Sequence, residues 1–499
     1  MDQSLLFQVS NVLINTYNAS QAIREDAERQ LQVFLNTVGS ASVLLSLIAQ
    51  ADNFPRDLRL AAALVVKNNV KNFWKTEESY TAAIANGVTI KTRRLSHEER
   101  QAAKSTLIQI LLNETDNAMR KSIAETIKQI TEYDPPESSW GELIPSLVEQ
   151  IASMGSSPNP LRIYNSVVGL RQVLKRYQFS RETRRITFDS MIQVVFPQLQ
   201  LLLQQLAGIN SLEAASVIHV SLKIFYSAVT YTLPKVPGVD VQFWMNLLAA
   251  AMNKPLPEAS ENLEPLGQPV SIEEREQWPW WKVKKWATSI SQHLFARYGD
   301  PKRCADENME FARFFKSSAS LQLLGPCMNL LQIKSQGGFI TESVQRNCLA
   351  YVSTAVELST TYKVLKPYMG FLVANVLMPS LSITEDEIQV FVEDPIEFVR
   401  KAHSIMEDFI DPAKQAQNLL QSLARYRPKD SMPFILETLH TSVRNYRAAL
   451  AAAASGPPPS QSYHRSMDGV IVAVACISKV RKILFVRFFE RYVWFGMWT

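Results

Sequence analysis

Apolar residues recur along this chain at three- and four-residue intervals in one segment after another, which is the period of an amphipathic helix. Leu5, Leu6, Val9 and Leu13 set that period over residues 3–16, and Ala22, Ile23, Ala27, Leu31, Phe34 and Leu35 set it over 20–37. Asn18-Ala19-Ser20 between them has helix-capping chemistry. Residues 40–51 with 55–74, 96–113 with 116–133, 140–154 with 161–177 and 181–206 with 211–233 predict four further pairs. Pro135-Pro136 ends the third pair, and GSSPNP separates the two helices of the fourth. A stretch rich in proline and glutamate at 253–277 reads as a solvated, extended loop. Beyond it come a helix at 278–299 and three pairs: 305–334 with 341–361, 364–378 with 395–409, and 412–426 with 431–454. No segment sustains the alternation of a strand, so no sheet is expected. The period of about 40–47 residues is that of a HEAT or armadillo unit, which buries its apolar face by stacking on its neighbours. The expected fold is all-α, a HEAT-repeat α-α superhelix (solenoid).

The segment 55–74, PRDLRLAAALVVKNNVKNFW, is apolar on most sides of its helix and must lie between neighbours. Its alanines let those neighbours approach closely. Pro55 suits a helix start. Lys67, Asn68, Asn69, Lys71 and Asn72 interrupt the apolar run at one end, so that end offers ammonium and amide groups. An alternative reading has Asn68 buried and tying neighbouring backbones together, because a buried amide needs partners.

At 499 residues the chain is too long for one compact core unless the fold grows in one dimension. Apolar residues make up 46% and charged residues 20%, the balance of a folded protein rather than a disordered one. A net charge of +5 is small for this length and demands no nucleic-acid partner. Cys304, Cys327, Cys348 and Cys476 match no zinc spacing and read as reduced, partly buried thiols. The N-terminus lacks the basic and apolar regions of a signal peptide. There is no phosphate loop, HExxH or nucleophile elbow, and His97 before Glu98 and Glu99 reads as helix-start chemistry. No catalytic, cofactor-binding or metal-binding residues are expected, and no enzyme.

Two stretches invite a binding reading. WPWWKVKKWATSISQHLFARYG at 278–299 sets rings beside lysines, as a base-stacking platform would. Its full helical period, with Val283, Trp286, Ala287, Ile290, Leu294 and Arg297 on one face, favours a core helix with Lys282 and Lys285 turned away. Residues 384–397 carry Glu385, Asp386, Glu387, Glu393, Asp394 and Glu397, with no basic residue before Arg400. This reads either as a solvated acidic loop charging a helix start or as a mobile element for a basic partner.

Arg59, Ala61 to Ala63, Lys67, Asn68 and Trp74 resemble a pattern in the N-terminal domain of the importin-β (karyopherin-β) superfamily. Three blocks sharpen the resemblance: LKIFYSAVTYTLP at 222–234, the tryptophan-rich block at 278–299, and EDPIEFVRKAHSIMEDFIDPAKQAQNLL at 393–420. In this order and spacing they are similar to the importin-7/importin-8 branch. The resemblance implies a nuclear transport receptor without enzymatic activity, shuttling between cytoplasm and nucleus through the pore. Its implied partners are Ran-GTP, phenylalanine–glycine nucleoporins and a basic protein cargo such as ribosomal proteins or histones, with no direct nucleic acid and no membrane. Lys67, Asn68 and Lys71 become candidates for the Ran-facing surface. Glu385, Asp386, Glu387, Glu393 and Asp394 become candidates for a basic partner. An exportin of the same superfamily and a static HEAT scaffold are the alternatives.

The resemblance implies importin-β N-terminal-like pairs over 1–95 and further HEAT repeats over 96–466. It ends at about Gly469. Family members run to roughly a thousand residues, so the chain covers about the first half of one. Residues 467–499 read as a divergent tail from a truncated or mis-spliced gene model, not as a native repeat. The tail is expected to be poorly packed, with Trp494 and Trp498 exposed. Its longest uncharged run, 469–478, is too short to span a bilayer.

Overall fold

Capping residues open many of the helices, and apolar stripes decide what each one packs against. In the computed structural model, which describes residues 3–85, 92–156, 158–234, 236–257, 267–402, 411–454 and 457–480, the protein is a succession of helices with no multi-stranded sheet among the described residues. It divides into two compact units, residues 1–239 and 240–499. Within each, helix pairs pack one against the next, the HEAT-repeat class of all-α solenoid.

The first unit contains α1 (Gln3–Asn15), α2 (Gln21–Leu35), α3 (Ser40–Ala49), α4 (Arg56–Phe73), α5 (Glu77–Ala85), α6 (His97–Asn113), α7 (Asn117–Ile130), α8 (Leu143–Ala152), α9 (Pro160–Arg176), α10 (Glu182–Leu206) and α11 (Leu212–Val229). The second helices α4, α7, α9 and α11 pack in that order, α3 packs on α6 and α8 on α10. Ser96 accepts the Glu99 N–H while Glu99 returns to the Ser96 N–H, so the helix start at 96–99 is a capping box. Asp116, Asn159 and Ser211 cap α7, α9 and α11 in the same sense. The spacing of Ile218, Leu222, Phe225, Val229 and Leu233 predicts one apolar stripe; the first four are buried on α11, each stabilising the fold by about 1.5–3 kcal/mol relative to exposure, whereas α11 ends at Val229 and Leu233 lies beyond it, half-buried. By length and composition 184–206, 212–229 and 359–393 could cross a membrane. In the folded chain α11 packs on α9 instead. Packing continues across residues 95 and 96: α3 contacts α6, α4 contacts α7, and the Leu95 N–H donates to Phe73 O. The short helix α5 is an addition to the expected elements.

The second unit contains α12 (Val241–Asn253), α13 (Ile272–Gln277), α14 (Pro279–Tyr298), α15 (Met309–Phe314), α16 (Ser320–Ser335), α17 (Glu342–Glu357), α18 (Ser359–Leu365), α19 (Met369–Phe371), α20 (Met378–Leu381), α21 (Glu385–Glu393), α22 (Pro395–Ala402), α23 (Pro412–Tyr426), α24 (Pro428–Ala453) and α25 (Gln461–Val480). Here the pairing differs from expectation. The second-helix row runs α14, α17, α23, α25, and α20 packs on α23 and α25. The segment 364–378 therefore does not pair with 395–409. α22 pairs with α21 in a short hairpin of its own, and residues 403–410 lie outside the described residues. The last pair is α24 with α25, not 412–426 with 431–454.

The start of the tail is thus a packed helix. Gly469, Val470, Ala473, Cys476 and Ile477 form its buried stripe. At Gly469 the helices meet so closely that a Cβ would lie 2.5 Å from Ser382 Oγ and 3.2 Å from Met378 O. The expectation of poor packing fails for 470–480, because α25 supplies the face that closes the final pair. Residues 481–499, with Trp494 and Trp498, lie outside the described residues. The expected loop at 253–277 is also partly built in. Gln268 donates to Pro257 O at 2.5 Å and accepts from Trp281 Nε1 at 2.8 Å, and α13 follows it. All four cysteines are free thiols, three of them buried.

Candidate functional site

α4 is held between α1, α3 and α7. Ala61, Ala62 and Ala63 are buried where those neighbours close in. Arg59 is only 8% exposed. Its Nε donates to Ile48 O at 2.8 Å, and its Nη2 meets Glu114 Oε2 at 2.5 Å. Glu114 sits between α6 and α7, and its other oxygen accepts the Asp116 N–H at 2.8 Å. Trp74 donates from Nε1 to Asp134 Oδ2 at 3.1 Å. The same carboxylate pairs with the buried Lys104 at 3.1 Å, and Lys104 also donates to Ser139 O at 2.7 Å. The arginine, alanines and tryptophan of the segment are therefore structural, fastening the second pair to the third. Sequence reasoning missed Glu114, Asp134 and Lys104, which lie far along the chain and carry no local signal.

The polar end of α4 divides by face. Lys67 is half-buried, while Asn68 and Lys71 are exposed, one helical turn apart. Asn68 is not a buried tie. Asn69 takes that role, donating to Val65 O at 2.9 Å and accepting from Thr92 Oγ1 at 2.9 Å.

The acidic candidates form the α21–α22 hairpin rather than a loop. Thr384 opens α21 with a capping box in which Glu387 returns to the Thr384 N–H at 2.7 Å. Asp394 opens α22, accepting from Ile396 N at 3.1 Å and Glu397 N at 2.9 Å. Glu385 pairs with Arg465 of α25 at 2.8 Å, and Glu393 accepts from Gln389 at 2.8 Å. Sequence spacing alone leaves these carboxylates unpaired and repelling one another, but helix formation brings N–H donors to several of them; Asp386 has no partner among the described residues. α25 pins the base of the hairpin, with Arg465 donating to Ile383 O and Asp468 accepting from Ile383 N. Phe391 stacks edge-on against Phe398 across the hairpin at 5.3 Å. All five candidate acids face solvent.

The folded chain adds acids that sequence spacing could not connect. Burial raises the Asp411 carboxyl above the usual range, and Glu387 pushes the same way. Desolvation likewise raises Glu342, with further contributions from Glu276 and Asp411. The hairpin base thus faces a wider negative patch. No three His, Cys, Asp or Glu side chains converge to hold a metal ion among the described residues. The tryptophan block is a core helix, as its period implied: Trp280 and Trp281 are buried and present no face for a base. Lys284, unremarked in the sequence, is buried there. Its ammonium donates to Met252 O at 2.6 Å and Lys254 O at 2.7 Å, at the C-terminus of α12.

Residues 27–113 match the importin-beta N-terminal domain. An importin beta-like SAD2 homolog of Arabidopsis thaliana is 25% identical over 459 residues, covering 91% of this chain and 41% of the relative. Importin-8 of Danio rerio is 26% identical over 429 residues, covering 84% of this chain and 40% of the relative. The chain thus spans about two-fifths of the length of these curated relatives. A crystal structure of importin beta aligns with 95% of this chain and 55% of its own at 13% identity and a TM-score of 0.45. The domain match covers the Arg59–Glu114 neighbourhood up to Asn113, and the likeness continues through the second unit. Over most of its length the chain is similar to members of the importin-β superfamily.

Proposed function

We propose that this protein is a nuclear transport receptor of the importin-7/importin-8 kind, shuttling between cytoplasm and nucleus. It binds Ran-GTP, engages phenylalanine–glycine nucleoporins and carries a basic protein cargo. The observation that supports this reading is the extent of the likeness to importin-8, which runs well beyond the N-terminal domain. Lys67, Asn68 and Lys71 are the proposed Ran-facing group. Glu385, Asp386, Glu387, Glu393 and Asp394 are the proposed group for a basic partner, and their exposure keeps them available to one.

Pull-down with Ran locked in its GTP or GDP form tests the reading. The GTP form should be retained, and the K67A/K71A variant should bind it about tenfold more weakly, as expected for two charge contacts, one half-buried and one exposed. Unchanged affinity with an intact fold would remove these lysines from the interface. Ran-GTP should release a histone or ribosomal-protein cargo. Tighter cargo binding with Ran-GTP would indicate an exportin, and indifference to both a scaffold.

The acidic group has its own signature. Exposed charges are screened beyond about 8–10 Å at physiological salt, so their effect falls on association rates at low salt. The variant E385Q/D386N/E387Q should associate with a basic cargo several-fold more slowly at low salt and at nearly the wild-type rate at high salt. Glutamine at 387 preserves the capping box. Stopped-flow rates equal to wild type at low salt would leave the acids as helix-start residues alone.

A further inference from the structure

The half-exposed faces of the second helices in the first unit carry mostly positive charge. α4 contributes Lys67 and Lys71, α7 Lys121 and Lys128, α9 Arg171 and Lys175, and α11 Lys223. These helices are consecutive neighbours. The acids on these helices are Asp57 at the start of α4, which Arg56 meets at 3.2 Å, Glu125, which Lys128 holds at 2.8 Å, and Glu213 at the start of α11. Tyr164 lines α9 one turn before Val168 and two turns before Arg171, with the Arg120 guanidinium over its ring at 5.0 Å.

Arg171 is the unusual member. It makes no ion pair and no hydrogen bond among the described residues, and its Nη1 is buried without a partner. Burial alone pushes its guanidinium down to about 10. A desolvated charge without a counter-ion costs stability and contributes nothing to the fold in return. Such a group is repaid when a carboxylate docks on it, because a guanidinium binds a carboxylate through two parallel hydrogen bonds.

We infer that the α7–α9–α11 face is a docking surface for an acidic protein segment, in which Arg171 receives one carboxylate bidentately while Lys121 and Lys175 hold flanking ones. The half-buried position of Arg171, beside the exposed Lys121 and Lys175, selects the ligand class. A carboxylate on a side-chain arm reaches the guanidinium, whereas a nucleic-acid phosphate is fixed to its strand and meets the protruding lysines first. The surface adjoins α4 but uses neither Lys67 nor Lys71, so its test reads separately from that of Ran binding.

The test uses the full chain, a fluorescent peptide of alternating glutamate and glycine, and a single-stranded oligonucleotide of similar charge. Anisotropy at low salt should show peptide binding that R171Q weakens about tenfold and R171K weakens less, since lysine keeps the charge but loses the bidentate geometry. R171Q should melt at the wild-type temperature or above it, because an uncompensated charge has been removed. Any of four results would overturn the inference. These are no peptide binding by the wild type, equal binding by R171Q, a lower melting temperature for R171Q, or an oligonucleotide that binds more tightly than the peptide and is equally sensitive to R171Q.

Discussion

Replacing Glu114 by alanine is expected to cost the first unit about 3–5 kcal/mol, because it leaves the Arg59 guanidinium buried without its counter-charge. Arg59 and Glu114 are 9% and 2% exposed as side chains. Water cannot take over the lost partner, and the Ile48 carbonyl neutralises no charge. For a unit of this size the corresponding fall in melting temperature is about 10 °C. The double variant R59M/E114L removes both charges together and should recover most of that loss, since apolar replacement of a whole buried pair is close to neutral. Thermal unfolding of the two variants separates the explanations. Equal losses would mean that the geometry of the pair, rather than charge burial, holds α4 to the third pair. A loss below about 1 kcal/mol for E114A would mean that solvent reaches Arg59, as at an exposed pair.

The second large effect is a pH dependence centred on Lys284. Burial lowers this ammonium to about 8 from the ordinary 10.5, although the carbonyls at the end of α12 favour the charged form. Below about pH 8 the folded and unfolded chains both hold the proton, and Lys284 contributes no slope. Between about pH 8 and 10.5 the unfolded chain holds a proton that the folded chain has released, so stability rises with pH. At about 1.4 kcal/mol per pH unit the full gain is about 3.5 kcal/mol. K284M lacks this term, while the other titrating groups are common to both proteins. Urea unfolding should therefore show the wild-type advantage over K284M growing by about 2–3 kcal/mol between about pH 7 and pH 10. A constant difference would mean that Lys284 stays hydrated in the folded protein.

Helix existence and class were legible in the sequence because both are local properties. The stripe Ile218, Leu222, Phe225 and Val229 names its own buried face, and Ser96 with Glu99 names its own cap. The same locality made the three alanines of α4 readable as a close-approach surface, and the segment from Arg59 to Trp74 was enough to suggest the superfamily. Which helix closes on which is not local. A stripe at 412–426 fits a partner before it or after it equally well. The tertiary structure chose by inserting the α21–α22 hairpin and by letting Gly469 admit α25 against Ser382.

The polar anchors follow the same division. Arg59 is visible in the sequence, but its partner Glu114 is 55 residues away. Lys284 looked like one more solvated lysine until folding brought the end of α12 onto it. The acidic candidates at 385–394 were readable as a cluster of charge, whereas their helical form and the neighbouring Glu276, Glu342 and Asp411 were not. By itself the sequence determined most of the long helices and their apolar faces, because periodicity and capping act within a few residues, and its residue blocks carried the family resemblance. The tertiary structure alone decided pairing register, buried ion pairs and the isolation of Arg171, because each depends on which distant groups arrive to satisfy a face or a charge.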